Sequence, residues 1–582
     1  MKQFKTQILV ATIASSIGAS AAAQNYTVQP ITTPDSVQNT YGVAINDQGL
    51  AALHMRIPLA AELDFDLISE ALLADAGIST EFDPTTDELT YEQYLALVQR
   101  LDDRINGSLS TLRIAVNFAG DYDGQSTSLP ALLNSAGNAS SSQQNSADHQ
   151  FLGLNQNNVR VGIASAPYTR FEHTFQPEAE EGGETPDPVT INYAQREFTS
   201  RALWYDGTNY QLLEPAEQTA LGGESGLFDI NENNVAVGFQ SVAVTPQAQS
   251  RLETCAELES STSASTTPYT CMWSAWHTYQ SGTASNLSNR GSQLATNGSM
   301  YDMHATVWQL DAQGAVISET TYAPLMERIE GDDFHWSTYA FAVNNNGIAV
   351  GQSWTYYGDE PAVGGRIKMP AIFVNGETRA VTTSEDYFWG AATDINDDDI
   401  AIGYVLQNIQ GTRRAVPFTY SVTDETFTTL PTLFVGSATY PNAINDQGII
   451  VGSAEIDTQI DSARRRVGYY FDLNNPDQGL INLNEAIGCD SDYFIVSADS
   501  VNEQNQILVT ATKEREYTDE NGEVKSEQVA ETLILNPESG EFTGCTSDED
   551  KIVRQGAVTT PWGILSMLLI GGLITLRRKF ES

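Results

Sequence analysis

Asp394, Asn396 and Asp398 have the residue types and the spacing of the first three ligands of a calcium loop. Carboxylate and amide oxygens at alternate positions can converge on one hard cation. The sixth position of such a loop is Asp399 here instead of glycine, and the twelfth position lacks the usual glutamate. A related segment that begins at Asp229 shows the same departures. We therefore expect turns that hold no cofactor, and we keep calcium binding at Asp394, Asn396 and Asp398 as the alternative.

The chain contains none of the short motifs that usually mark a catalytic site. It has no HExxH zinc helix, no GxSxG nucleophile turn and no glycine-rich phosphate loop. Its six histidines are scattered, and among 75 acidic residues any spacing of two carboxylates occurs by chance. The sequence therefore predicts no catalytic residues, although a glycosidase-like pair of carboxylates stays open.

The hexapeptide AINDQG occurs at residues 44–49 and again at residues 443–448, and five related segments lie elsewhere in the chain. Each segment contains an asparagine, two polar residues, a fourth residue and then an apolar stretch. The asparagines are Asn46, Asn155, Asn231, Asn344, Asn396, Asn445 and Asn502, and the fourth residues are Gly49, Asn158, Asn234, Gly347, Asp399, Gly448 and Asn505. Glycine, asparagine and aspartate tolerate a left-handed backbone, so each segment predicts a hairpin turn with a left-handed fourth residue. The clearest structural turn residues are Asn46, Gly49, Asn344, Gly347, Asn445 and Gly448.

The segments between these turns predict about four short strands each. The apolar residues after each turn form runs too short for a helix, and an aromatic strand such as HATVW at residues 304–308 follows most of them. The last four copies recur about every 50 residues, which is a period typical of propeller blades. We predict an all-β fold, a β-propeller of seven four-stranded blades over residues 24–548.

The segment AVNNNGIAVG at residues 342–351, together with the HATVW strand, resembles the HAF-type extracellular repeat. The whole chain is similar to a family of exported gammaproteobacterial proteins of unknown function. The resemblance implies an extracytoplasmic β-repeat protein and supplies no catalytic residues.

Two insertions interrupt the predicted blades. Residues 56–105 have apolar residues spaced by three and four and predict two helices, which would either serve a partner or cover an exposed blade edge. Residues 243–300 are predicted to be a loop insertion that contains a disulfide, and residues 256–300 within it, like residues 134–149, are rich in Ser, Thr, Asn and Gln and predict a long surface loop. Within that loop, Trp273, Trp276 and Tyr279 are either a contact patch for sugar or protein, or packing residues.

The four cysteines favour two disulfides, because exported chains retain such bonds. Three pairings are open. We favour Cys255–Cys271, which closes a short loop, and Cys489–Cys545, which ties the end of the domain. No CxxC pair occurs, so the sequence gives no reason to predict a zinc site or a redox site.

Both ends of the chain carry targeting signals. Residues 1–23 read as a signal peptide that is cleaved between Ala23 and Gln24. Residues 555–576 carry no charge and, as a helix of about 33 Å, would cross a bilayer core of about 30 Å. This segment and the basic cluster after it resemble the GlyGly-CTERM class of sorting tails. We predict residues 549–582 to be a membrane anchor or a processed tail, and we place the protein in the periplasm or at the cell surface.

The charge balance limits the partners. A net charge of −46 repels phosphate backbones, so nucleic acid is disfavoured, while a protein or glycan ligand stays open. We predict a monomeric, exported binding or scaffolding module without evident catalytic activity. The alternative is a secreted hydrolase with its site at the propeller axis.

Overall fold

Seven four-stranded antiparallel sheets follow one another along the chain and form the blades of a propeller. The computed structural model describes residues 25–102, 107–130, 132–133, 146–179, 184–258, 264–280, 299–358, 361–457, 464–488, 491–519 and 521–538. This architecture confirms the prediction of an all-β, seven-bladed propeller with few helices.

Several sequence predictions concern residues outside these ranges. They are the signal peptide with its cleavage between Ala23 and Gln24, the Cys489–Cys545 disulfide, and the C-terminal anchor at residues 555–576. Within the ranges that the model describes, no helix is both long and apolar enough to cross a membrane. These three features stay predictions.

Blades 1 to 3 carry the long insertions. A separate strand, β1, spans Asn25–Pro30. Blade 1 contains β2 (Val37–Ile45), β3 (Ala51–Pro58), helices α1 (Glu70–Asp75) and α2 (Tyr91–Leu101), β4 (Asn117–Tyr122) and β5 (Thr127–Ser128). Blade 2 contains β6 (His149–Leu154), β7 (Arg160–Ala164), the protruding hairpin β8 (Thr169–Phe175) and β9 (Val189–Gln195), then β10 (Arg201–Tyr205) and β11 (Tyr210–Leu213). Blade 3 contains β12 (Ser225–Ile230), β13 (Val235–Val244), helices α3 (Pro246–Glu257) and α4 (Pro268–Gln280), β14 (Tyr301–Leu310) and β15 (Val316–Tyr322).

Blades 4 to 7 are more regular. Blade 4 contains β16 (Thr338–Val343), β17 (Ala349–Tyr356), β18 (Arg366–Val374) and β19 (Glu377–Ala380). Blade 5 contains β20 (Tyr387–Ile395), β21 (Ile400–Ile409), β22 (Thr412–Ser421) and β23 (Thr426–Thr429). Blade 6 contains β24 (Thr439–Ile444), β25 (Ile449–Glu455), β26 (Arg466–Asp472), β27 (Ile481–Asn482) and the one-turn helix α5 (Leu483–Ala486). Blade 7 contains β28 (Phe494–Val501), β29 (Ile507–Thr518) and β30 (Val524–Glu538).

The seven repeated turns each join the first and second strands of a blade. In all of them the fourth residue has a positive φ, from 57° at Asn234 to 78° at Gly448, and its N–H donates to the carbonyl of the leading asparagine. The asparagine Oδ1 accepts the N–H four residues later at 2.9–3.1 Å in every copy. The asparagine side chain therefore replaces backbone pairing that the turn interrupts.

The same asparagines also connect each blade to the next. Each Nδ2 donates to the main-chain carbonyl of the asparagine in the following blade, at 2.8–3.5 Å. Asn502 of blade 7 donates to Asn46 of blade 1, so the chain of hydrogen bonds is a closed ring. We call these seven residues the asparagine ring. All seven are nearly buried, with exposed fractions of 1–6%.

A glycine lies in the second strand of five blades, opposite a bulge in the first strand. A Cβ at Gly452 would lie 2.1 Å from the carbonyl oxygen of Tyr440, and one at Gly351 would lie 1.9 Å from that of Tyr339. No larger residue fits that approach without backbone movement.

Two contacts close the ring between its ends. Strand β1 pairs antiparallel with β30, from Asn25 opposite Glu538 to Pro30 opposite Leu533, and completes blade 7. Helix α2 packs on the long β29–β30 hairpin, where the Tyr91 hydroxyl donates to Glu527 at 2.9 Å. The helical insertion thus contacts the two inner strands of the last blade, and both roles predicted for it stay open.

The seam between blades 7 and 1 contains a partly buried carboxyl group, that of Asp499. Its Oδ2 accepts the Thr510 hydroxyl at 2.6 Å and lies 2.7 Å from where a Cβ at Gly42 would stand. Burial raises the pKa of Asp499 to about 7, and the hydrogen bonds from Thr510 and Ser497 oppose that rise. The protonated form is therefore the one that the seam favours.

Removing one member of the asparagine ring should weaken the whole propeller. Asn445→Ala removes the bonds to the Asn502 carbonyl at 3.0 Å and from the Ile449 N–H at 2.9 Å. It leaves buried polar groups without partners, so we expect a loss of about 2–4 kcal/mol in the free energy of unfolding. Thermal unfolding measures it, with the exposed Asn521→Ala as control. Equal melting temperatures for the two variants would show that the ring is not needed.

The Asp499 carboxyl group should make stability depend on pH. Because its folded pKa is raised to about 7, its destabilising effect is absent below about pH 4, grows between about pH 4 and about 7, and stays constant above that. Asp499→Asn should raise the melting temperature at pH 8 and leave it unchanged at pH 4. At pH 8 the free energy of unfolding of the variant should exceed that of the wild type by at most about 4 kcal/mol. Thermal unfolding of both proteins across this range, with the exposed Asp477→Asn as control, measures the difference. A pH-independent difference would contradict the assignment.

Candidate functional site

The second residue of each repeated turn forms another ring, which surrounds the axis at one end of the propeller. The main-chain N–H of each such residue donates to the side chain of its counterpart in the next blade, at 2.8–3.1 Å. We call this set the rim, and its members in chain order are Asp47, Gln156, Glu232, Asn345, Asp397, Asp446 and Glu503. Glu503 donates to Asp47, so the rim is closed in the same direction as the asparagine ring.

Five of the seven rim residues are acids, but the hydrogen bond does not require a charge. Gln156 accepts the Asp47 N–H at 2.9 Å, and Asn345 accepts the Glu232 N–H at 3.0 Å. These neutral side chains satisfy the same donor as the carboxylates do elsewhere. The fold therefore needs an acceptor oxygen at each rim position and not a negative charge.

The negative charges on the rim repel one another. Burial raises the pKa of Glu232, Asp446 and Glu503, and nearby carboxylates, including Asp47 and Asp397, raise it further. The hydrogen bond from the neighbouring main chain works against this rise in each case. Like charges held this close raise one another's pKa, and the repulsion costs free energy.

Inside the rim lies a cavity of about 330 Å³. Its wall is built from the ends of the first strands and includes two more carboxylates, Asp229 and Asp394. Each accepts a main-chain N–H from the first strand of the next blade, that of Val343 at 3.0 Å and that of Ile444 at 2.8 Å. Asp499 contributes at the seam. We call the rim and this cavity together the axial mouth.

The residues considered for calcium take part in this inter-blade bonding. Asp394 bonds to the Ile444 N–H, and Asn396 accepts from Ile400 and donates to Asn445. Asp398 lies exposed on the turn. Among the described residues, no group of three or more acidic, histidine or cysteine side chains is placed to hold a metal ion. Calcium binding there stays the untested alternative.

The other end of the propeller is covered by helices α3 and α4 with the β8–β9 hairpin, which together we call the cap. The segment expected to be a loop contains α3 and α4, since Thr245 caps α3 and the apolar Trp273 and Trp276 give α4 a buried face. The predicted disulfide Cys255–Cys271 joins the two helices.

The cap is fixed to the blades by aromatic and charged side chains. Trp276 Nε1 donates to Glu224 of blade 3 at 2.6 Å. Trp273 stacks edge to face on Tyr168, and the guanidinium of Arg196 lies 4.6 Å from the centre of the Tyr168 ring. Trp273 and Trp276 are only 1% and 7% exposed, so they are packing residues and not a contact patch.

Sequence reasoning found the leading asparagines and the left-handed residues, but it missed the rim. In the sequence the rim position is only the first of two polar residues after the asparagine. Its signal is a side-chain acceptor in all seven copies, five of them acids. The shared acceptor indicates a bond between blades only when the seven turns are known to be neighbours around one axis.

Some solved structures resemble this chain weakly. They include Trypanosoma rangeli sialidase, with a TM-score of 0.30 and 11% identity over 68% of this chain and 55% of that one. The same sialidase in complex with the inhibitor DANA gives a TM-score of 0.28 and 8% identity over 90% of this chain and 59% of that one. Porphyromonas gingivalis dipeptidyl peptidase 4 gives a TM-score of 0.22 and 11% identity over 77% of this chain and 66% of that one. The chain thus spans little more than half of the sialidase, and similarity this low carries no argument about function.

Sequence comparisons are more decisive about family than about activity. A comparison with curated proteins returns no match. A family model described as "Protein of unknown function (DUF3466)" matches residues 3–579, which is nearly the whole chain, and the protein therefore belongs to that family.

Proposed function

We propose that the protein is an exported binding module and that the axial mouth takes a cationic group, such as a lysine or arginine side chain, from a protein ligand. One observation carries this proposal. The rim needs only neutral acceptors to join the blades, as Gln156 and Asn345 illustrate, yet five of its seven positions carry carboxylates that repel one another. Repulsion between these carboxylates costs free energy that neutral acceptors would avoid. The fold does not require the charge, so we infer that the charge serves the function.

The size and charge of the mouth suit such a group. A cavity of about 330 Å³ is at the lower end of the range of ligand pockets, about 300–1,000 Å³. A bound ammonium or guanidinium would attract carboxylates that now repel one another, and the attraction is stronger where water is partly excluded. The cap covers the opposite end with buried tryptophans, which leaves the mouth as the polar end of the axis.

The proposed location is outside the cytoplasm, in the periplasm or on the cell surface. The N-terminal signal at residues 1–23 supports it, and so does the Cys255–Cys271 disulfide, because such bonds persist in oxidising compartments. Residues 555–576 would anchor the module, which we expect to act as a monomer.

Export predicts a specific mature N-terminus. Protein isolated from its native host should begin at Gln24, because the signal peptide ends in the small residues that signal peptidase accepts. N-terminal sequencing measures this, and an Ala23→Lys variant should retain the leader. A native protein that begins at Met1 would contradict the proposed export.

The charge of the mouth can be removed while its hydrogen bonds are kept. The double variant Asp446→Asn with Glu503→Gln retains both acceptors, so we expect it to fold normally and to bind a tetralysine peptide at least about 10-fold more weakly, by the loss of two close charges. Isothermal titration measures the affinity.

Binding to the wild type should also depend on pH. The pKa values of Asp446 and Glu503 are raised, so acidification neutralises both carboxylates at a higher pH than it neutralises ordinary carboxylates, and the affinity for tetralysine should begin to fall at that higher pH.

The matched control removes two charges elsewhere. Asp477→Asn with Glu514→Gln changes exposed acids that are not part of the rim. An equal loss of affinity in this control would mean that tetralysine binds the acidic surface in general, and the proposal would fail.

A hydrolase with its site at the axis is the second candidate. The raised pKa values of Glu232, Asp446 and Glu503 favour it, because a general acid needs a carboxyl group whose pKa lies above the usual range. Against it, each carboxylate is tied to a main-chain N–H in a pattern repeated around the axis. Hydrolysis of a panel of fluorogenic glycosides by the wild type, lost in the double variant, would select the hydrolase over the binding module.

A further inference from the structure

Five arginines lie at the end of blades 5 and 6 that is opposite the axial mouth. The repeated turns lie at the mouth, so the hairpin between the second and third strands of each blade lies at the opposite end. Arg413 and Arg414 lie at the start of β22, the third strand of blade 5. Arg464, Arg465 and Arg466 lie at the start of β26, the third strand of blade 6. We call these five residues the arginine face.

One carboxylate joins the arginines of the two blades. Glu455 is 8% exposed, and its Oε2 lies 3.4 Å from Arg414 Nη1 and 3.0 Å from Arg464 Nη1. Arg464 also donates to the carbonyl of Gly436 at 3.1 Å, in the linker from blade 5 to blade 6. Two guanidinium groups of neighbouring blades are therefore held close together around a single negative charge.

The other three arginines are exposed and lie on aromatic rings. The guanidinium carbon is 4.5–5.2 Å from the ring centre in the pairs Arg413–Phe388, Arg465–Phe494 and Arg466–Tyr440. None of these three guanidinium groups has a carboxylate partner in the part of the chain that the model describes, although acidic residues outnumber basic ones by 75 to 29. A guanidinium that lies on a ring keeps the N–H donors at its edges available to a phosphate.

Arginines at the same end of the neighbouring blades are paired with acids. Arg366 of blade 4 lies 3.2 Å from Asp332, and Arg515 of blade 7 lies 2.7 Å from Glu527. Residues 400–423, which include the hairpin of blade 5, contain no aspartate or glutamate. The arginine face therefore combines exposed cations with a local lack of acids.

An exposed apolar side chain lies in the linker beside these arginines. Val435 is 75% exposed, more than any other large apolar residue that the model describes. It directly precedes Gly436, which accepts from Arg464, and the linker residues 430–438 contain no acid. One exposed apolar side chain needs no explanation by itself. Beside a group of arginines it suits the boundary between the phosphates and the acyl chains of a bilayer.

We propose that the arginine face docks on a membrane surface that contains anionic phospholipids, with the arginines on the lipid phosphates and Val435 among the headgroups. Guanidinium groups bind phosphate oxygens in pairs, and each basic residue near an anionic surface adds to the affinity. The described part of the face has five arginines and two carboxylates, Glu455 and Asp457, so its local charge is positive. The net charge of −46 is spread over the whole chain, and charges farther than about 10 Å from the lipids are largely screened at physiological salt.

The predicted anchor would keep this face near a bilayer. Residues 539–554 connect the last described strand to the uncharged segment 555–576, and as an extended chain they span at most about 55 Å. A tether of this length raises the effective concentration of the face at the membrane, so a weak contact suffices. The inference rests on the proposed export and anchoring, and not on the ligand of the axial mouth.

Sedimentation with lipid vesicles tests the face. Residues 24–550 are suitable, because the ring closes between Asn25 and Glu538 inside one compact unit and the anchor is absent. We expect binding to vesicles of phosphatidylcholine with phosphatidylglycerol, release at high salt, and no binding to phosphatidylcholine alone. Equal binding to both vesicles, or none to either, would overturn the proposal. So would release by free glycerol phosphate at constant ionic strength, which would indicate a site for a soluble phosphate.

Variants locate the contact. Arg413→Gln with Arg465→Gln should lower the affinity for the anionic vesicles at least about 10-fold, since each basic residue contributes about fivefold. Val435→Ser changes an exposed residue and should lower it about 3-fold. The control Arg379→Gln with Lys525→Gln removes two charges that are paired with acids and should bind as the wild type does.

The outcomes separate this face from the axial mouth. An equal loss of affinity in the control, or unchanged binding by a folded Arg413→Gln, Arg465→Gln variant, would contradict the assignment. If that variant does not fold, unchanged binding by Val435→Ser would do so. Neither result depends on tetralysine binding at the mouth, so the two proposals can fail separately.

Discussion

A buried asparagine that must satisfy two partners at once determines the arrangement of this propeller. Its Oδ1 replaces a main-chain acceptor inside its own turn, and its Nδ2 reaches the turn of the next blade. Because one small side chain makes both bonds, the turns must lie at a constant separation around the axis. The alternative is an unpaired buried amide, which costs more free energy than the bond itself contributes. The left-handed fourth residue and the strand glycines provide the backbone shapes that make this spacing attainable.

The asparagine ring also explains why the two ends of the axis differ. At the turn end, a second ring of side chains follows directly from the first, because the next residue in every turn faces the same neighbour. That end is polar and carries a cavity. The opposite end holds the loops between second and third strands in blades 1 to 3, and these loops are long enough to fold over the axis. Trp273 and Trp276 fill that end, and the Cys255–Cys271 bond holds their helix in place.

Departures from the repeat are informative because the repeat sets an expectation at every position. Gln156 and Asn345 on the rim reveal that the fold tolerates a neutral acceptor, which separates the charge of the other five positions from their structural role. Arg413 and Arg465 depart from the pattern at the other end, where Arg366 and Arg515 of neighbouring blades are paired with carboxylates. Asp499 occupies the seam where the first and last blades meet, and there the surrounding protein favours the neutral acid.

The sequence by itself determined the turns and the number of blades and favoured the Cys255–Cys271 pairing, because each depends on neighbours close along the chain. A positive φ at Gly448 or Asn505 is a local property of the residue type, and a repeat is visible without a structure. It misjudged the segment after Thr245, where helices α3 and α4 depend on burial against blades distant in sequence. Only the tertiary structure decided that Asp47 meets Glu503, and that Arg414 and Arg464 share one carboxylate. Those encounters depend on ring closure and strand register, which bring together side chains whose separation along the chain gives no sign of contact.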